Sequence, residues 1–137
     1  MGFELVGHTA DVGVRATGET LGAAFGAIAD GMAAAQCDEI PDTGGDAFQF
    51  EVNAENLEAL LFDFLDRVIY ERDVRNVLPT DHTVSVEEHP DGWRVTATAR
   101  GVPLEELEAR EIKAVTYSDM EITQTNDHWQ VYVVLDV

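Results

Sequence analysis

The chain has 137 residues, 45 % of them hydrophobic, which suits one packed domain and argues against disorder. Eight lysines and arginines stand against 27 aspartates and glutamates, a formal net charge of -19. That charge opposes phosphate, so direct nucleic-acid binding is expected to be weak or absent. No apolar run is long enough for a membrane helix, and no membrane partner is expected.

The acids are spread along the whole chain and lysine is nearly absent. This pattern fits a salt-rich cytoplasm, where screening weakens self-repulsion, better than a dedicated cationic partner. Most single Asp and Glu residues are then solvent-facing. The lone cysteine, Cys37, allows no internal disulfide and fits a reducing, cytoplasmic setting. Residues 3–6 are too short for a signal peptide and include Glu4.

In chain order, two apolar runs, 3–6 and 12–16, flank His8-Thr9-Ala10-Asp11, with Gly7 and Gly13 at its borders, as in a tight strand connection. His8 and Asp11 suit metal or proton chemistry, and Asp and Thr equally stabilise turns through their own backbone. Thr20 caps a helix to about Ala35, with Leu21, Ala24, Phe25, Ile28 and Met32 as its buried stripe. Gly22, Gly26 and Gly31 weaken that helix and permit close approach. Residues 38–46 read as a loop, and residues 47–53 as a strand with Phe48, Phe50 and Val52 on one face.

Asn53 is expected to cap a second helix to about Asp73. Leu57, Leu60, Leu61, Phe64, Leu65, Val68 and Ile69 form its stripe, with Phe62 and Asp63 near the edge. A hairpin, 83–88 and 93–100, turns at Pro90-Asp91-Gly92. Gly101 and Pro103 are expected to end its second strand, and residues 104–109 to make a short helix. Residues 111–117 are an extended candidate, and 120–125 with 129–135 a second hairpin around Asn126-Asp127. These elements predict an α+β fold. Two main helices pack on a mostly antiparallel β-sheet in a single two-layer domain, residues 1–137.

Two further features carry chemistry. Asp136 is penultimate, so its carboxylate lies beside the α-carboxylate of Val137. Carboxylates this close repel unless a cation lies between them, and oxygen donors suit Ca²⁺, Mg²⁺ or Mn²⁺ better than zinc. A frayed, solvated terminus is the simpler alternative. Lys113 is the only lysine, in a composition that disfavours lysine, which suggests a specific task over a surface ion pair. If the strand alternates, Lys113 shares a face with Glu111 and Val115. His82, His89 and His128 lie near predicted turns and are expected to be exposed. There is no phosphate-binding glycine loop and no zinc-type spacing.

Several of these residues carry a resemblance. His8-Thr9-Ala10-Asp11-Val12-Gly13, Glu111-Ile112-Lys113-Ala114-Val115-Thr116-Tyr117 and Val133-Val134-Leu135-Asp136-Val137 resemble the archease signature. Leu60-Leu61-Phe62-Asp63-Phe64-Leu65 is similar to the family's apolar helix with an embedded Asp. The family usually has His after the Tyr, and this chain has Ser118.

The resemblance implies a non-catalytic accessory protein that activates an RtcB-type tRNA-splicing ligase, promoting GTP-dependent guanylylation of the ligase histidine and multiple turnover. It implies a divalent metal ion held by Asp11 and Asp136 with a contribution from Val137, Ca²⁺ first, with Mg²⁺ or Mn²⁺ as alternatives. Lys113 and His8 are the candidates for acting on the partner, and no catalytic residue of the chain's own is implied. A chaperone or modulator of tRNA-modifying enzymes such as a tRNA methyltransferase is the alternative. A small metal-dependent hydrolase with His8 as base is a third.

Overall fold

Phe25, Phe64 and Phe50 stack in that order at the centre of the molecule, with successive ring centroids 5.7 and 5.9 Å apart. The computed structural model describes residues 2–7 and 11–137. Along the chain run β1 (Gly2–Gly7), β2 (Asp11–Gly18), α1 (Leu21–Gln36), β3 (Asp46–Ala54) and α2 (Leu57–Arg75). Then follow β4 (Val77–His89), β5 (Gly92–Pro103), β6 (Ala114–Gln124) and β7 (Trp129–Asp136). The α+β class expected from the sequence holds. The single sheet does not: the strands form two antiparallel sheets, ordered β1-β2-β7-β6 and β3-β5-β4. Hairpin connections account for β1-β2, β4-β5 and β6-β7, and the pairing of β2 with β7 joins the two ends of the chain.

Helix α1 lies against β4 of one sheet and β2 of the other, and α2 against β6 and β3. Both sheets therefore feed one core. Phe25 and Ile28 of α1, Leu61 and Phe64 of α2, Val95 of β5 and Val131, Val133 and Leu135 of β7 are all fully buried in it. The whole predicted stripe of α1 is buried, and the Thr20 hydroxyl accepts from the Ala23 N–H as its cap.

Gly22 shows why α1 tolerates glycine. A Cβ there would fall on the carbonyl oxygen of Val84 in β4. Gly22→Ala would gain about 1 kcal/mol of helix propensity. Forcing helix and strand apart costs about 1–3 kcal/mol, so thermal unfolding should show a net loss of stability. A raised melting temperature would mean that β4 does not press on this helix.

Several boundaries differ from those expected. Asn56, not Asn53, caps α2, its Oδ1 accepting from the Ala59 N–H at 2.8 Å. Asn53 is held in β3 opposite Arg94, and its side chain accepts from Arg94 Nε. Gly101 and Pro103 do not end β5. Gly101 pairs with Asp46 on one side and Pro79 on the other while Val77 covers it, and Pro103 closes the strand where no further N–H is required. Residues 104–109 make only one 3-10 turn, Leu104–Glu106, because Arg110 N–H is drawn 2.6 Å from the Gln36 carbonyl at the end of α1. The two segments expected at 111–117 and 120–125 are joined in one strand, β6, which starts only at Ala114 and ends at Gln124, with a bulge in its middle.

His82 is not exposed. Its side chain is fully buried, with Nδ1 2.8 Å from Asp30 Oδ1, and its backbone N–H donates to the same oxygen. A backbone irregularity in β4, with Asp81 at φ 52°, places the ring inward, against Phe64.

Glu71 is a buried carboxylate, 6 % exposed between Arg67 and Arg75, each one helical turn away. Burial pushes its carboxyl up, but hydrogen bonds from Arg75 and Arg67 and their charges outweigh this and leave it below its ordinary value of 4.5. A lowered folded-state pKa stabilises above the unfolded value and loses that stability as pH falls through the folded one. Glu71→Gln should therefore cost about 2 kcal/mol at pH 7. The gap between variant and wild type should shrink as pH falls below 4.5. Melting temperatures measured against pH test this, and a constant gap would contradict it.

Candidate functional site

The start of the second strand and the end of the last one meet at one end of the four-stranded sheet. β2 begins at Asp11 and β7 ends at Asp136, and the antiparallel register sets Asp11 directly opposite Asp136. Directly paired residues lie about 4.5–5.5 Å apart at Cα and project to the same face. The partners next to them, Val12 and Leu135, are also paired, and Leu135 is fully buried, so the acid pair lies on the face away from that core contact. Like charges directly opposed in a ladder repel, and a cation between them removes that repulsion.

Asp136 ends a central strand. It also pairs with Ala114 of β6, and the Lys113 N–H donates to its carbonyl at 2.8 Å. Pairing on both sides explains why the strand holds its order to this residue. Asp11 is half-buried, with Oδ1 shielded from solvent, while Asp136 is exposed and Val137 is 43 % exposed. Among the described residues no group of three His, Cys, Asp or Glu side chains is gathered for a metal. The donor set on hand is thus two carboxylates, with main-chain oxygens beside them. It is an all-oxygen set of the kind hard cations accept, usually with water completing the shell. His8 lies outside the described residues.

Lys113 is exposed, just before β6 begins. The expected alternation fails there. Glu111 and Lys113 are exposed and Ile112 is fully buried, but Val115, two residues on, is buried as well. The segment is irregular up to Ala114, since Arg110 is tied to α1 and the strand ladder starts only at the pair with Asp136. All seven arginines are ion-paired: Arg15 with Glu4, Arg67 and Arg75 with Glu71, and Arg72 with Asp73. Arg94 lies by Glu51, Arg100 by Asp81 and Arg110 by Asp38. Lys113 has no such partner among the described residues.

Residues 3–137 match the archease protein family. The chain belongs to that family. It is 37 % identical over 134 residues to protein archease of Thermococcus gammatolerans, covering 95 % of this chain and 94 % of that one. It is 32 % identical to protein archease of Methanothermobacter thermautotrophicus over 99 % of both chains. The solution structure of protein 1598 of Methanobacterium thermoautotrophicum superposes with a TM-score of 0.87 at 32 % identity, over 99 % of each chain. A crystal structure of an archease, possible chaperone, from Thermotoga maritima gives 0.63 at 20 % identity over 96 % and 94 %, a likeness of fold.

Two of the segments that carry the resemblance thus converge here, one with Asp11 and the other with Asp136, and a third brings Lys113 to the same sheet end. At Ser118, where the resemblance implies His, the backbone N–H donates to Thr116 Oγ1 at 3.2 Å within the β6 bulge. Sequence reading missed the pair beside it: Tyr117 stacks on Phe62 of α2, centroids 4.3 Å apart and planes 6° from parallel. The edge position of Phe62 on the α2 stripe was the available signal.

Proposed function

We propose that this chain is a non-catalytic activator of an RtcB-type RNA ligase. It holds a divalent cation between Asp11 and Asp136, with oxygen from Val137, and offers Lys113 to the partner's active site. The observation that supports this best is the Asp11–Asp136 register pair with a lysine, without an ion-pair partner among the described residues, bonded through its backbone to Asp136. The cation, with Ca²⁺ the best fit and Mg²⁺ or Mn²⁺ next, would supply charge neutralisation between the carboxylates. The chain's own residues do the rest: the ladder fixes the acids in register, and Lys113 leaves its ammonium to neutralise a phosphate or carboxylate of the docked partner. A lysine suits that task as a compact point charge on a flexible stem. The net charge of -19 favours contact with the ligase protein over its RNA.

Joining of RNA ends by the ligase, with this chain present in catalytic amounts, tests the reading. Repeated turnover only in its presence supports it, and unchanged turnover contradicts it. The description of the Thermotoga relative as a possible chaperone motivates a second reading, and Phe3 and Leu5, 43 and 44 % exposed on the edge strand β1, are the apolar surface it would use. Protection of a client from aggregation without metal would favour that reading.

A further inference from the structure

We propose that Tyr117 is a docking platform for an arginine side chain on a basic protein surface. The inference rests on the reading above only in naming the ligase as the protein that would carry it. Residues 117–120 of β6 face Val133 alone, since Thr116 pairs with Val134 and Glu121 with Tyr132. This wide bulge, with Asp119 at φ 57°, turns Tyr117 toward α2. Phe62 then closes one face of the Tyr117 ring in a near-parallel stack, and Tyr117 keeps 55 % of its surface exposed. An aromatic ring fixed on one face and open on the other accepts a planar group, either a nucleobase or a guanidinium.

Charge decides between them. Glu58 and Asp66 stand four residues before and after Phe62 on α2, with Asp63 beside it. All three are exposed and none is ion-paired among the described residues. A nucleobase brings phosphates into that field, whereas a guanidinium is drawn in by it. The chain treats its other aromatic faces in this way. Arg75 lies 4.4 Å from the Phe48 ring centre, Arg15 5.0 Å from that of Tyr132 and Arg67 5.5 Å from that of Phe50. Tyr117 carries none of the chain's arginines, and all seven are engaged elsewhere. The guanidinium must come from outside. Tyr117 is three strand residues from Ala114, the partner of Asp136, or about 10 Å at the usual rise, so both contacts fit one docked surface.

Titration with tri-arginine and tri-lysine peptides at matched ionic strength, followed by calorimetry in every variant and also on the Tyr117 ring resonances in the wild type, tests this without the ligase. Failure here and failure to stimulate the ligase are therefore separate results. Tri-arginine should bind about threefold tighter than tri-lysine, since only guanidinium stacks. The preference should persist in Tyr117→Phe and vanish in Tyr117→Ala, whose exposed position lets it fold. Equal affinities, a preference that survives in Tyr117→Ala, or a larger response to oligouridylate than to tri-arginine would each overturn the proposal.

Discussion

Lys113→Ala is expected to abolish stimulation of the ligase while leaving melting temperature and metal affinity nearly unchanged. The side chain is exposed and makes no ion pair among the described residues, so its removal costs the fold little. What stays is the backbone bond to the Asp136 carbonyl, which alanine makes equally well. Lys113→Arg should restore only part of the activity, because the planar guanidinium is larger and directional. Ligase guanylylation, melting temperature and calcium titration on the same three proteins check this. Normal stimulation by Lys113→Ala would reduce Lys113 to a solvated surface cation. Unfolding would make it structural.

Asp136→Asn should weaken binding of divalent cations by at least about tenfold, the scale expected when one anionic donor leaves a small oxygen site. Asp11→Asn should do the same, since the two acids are direct register partners and share whatever cation lies between them. In the metal-free protein the sign reverses. Asp136→Asn removes one of two opposed carboxylates, that of an exposed side chain, and should raise stability by about 0.2–1 kcal/mol. Calcium titration calorimetry and thermal unfolding in chelator give the two readings. Unaltered affinity in both variants would show that the cation, if bound, lies elsewhere.

Much of the fold could be read from the chain because burial imposes a period. The stripes of α1 and α2 follow from a 3.6-residue repeat, and the apolar alternation of β7 from a two-residue one. Positions set by distant partners could not be read in that way. Asn53 has the chemistry of a cap, but pairing with Arg94 keeps it in β3. His82 sits near a turn in sequence, yet a single irregularity in β4 and the carboxylate of Asp30 bring it inside. The β6 bulge depends on Asp119 in a left-handed conformation that non-glycine residues seldom adopt, so no local signal announces it. For the candidate site, Asp11, Asp136 and Lys113 were each visible as chemistry. Their meeting at one sheet end follows from the β2-β7-β6 order, which no local pattern contains.

Labelling of the ligase histidine with radioactive GTP, with and without this chain and in the presence of a divalent cation, bears most directly on the central claim. Wild-type chain should raise the yield of guanylylated ligase well above the ligase alone, and chelation or Lys113→Ala should return it to the basal level. Equal labelling with and without the chain would contradict the account.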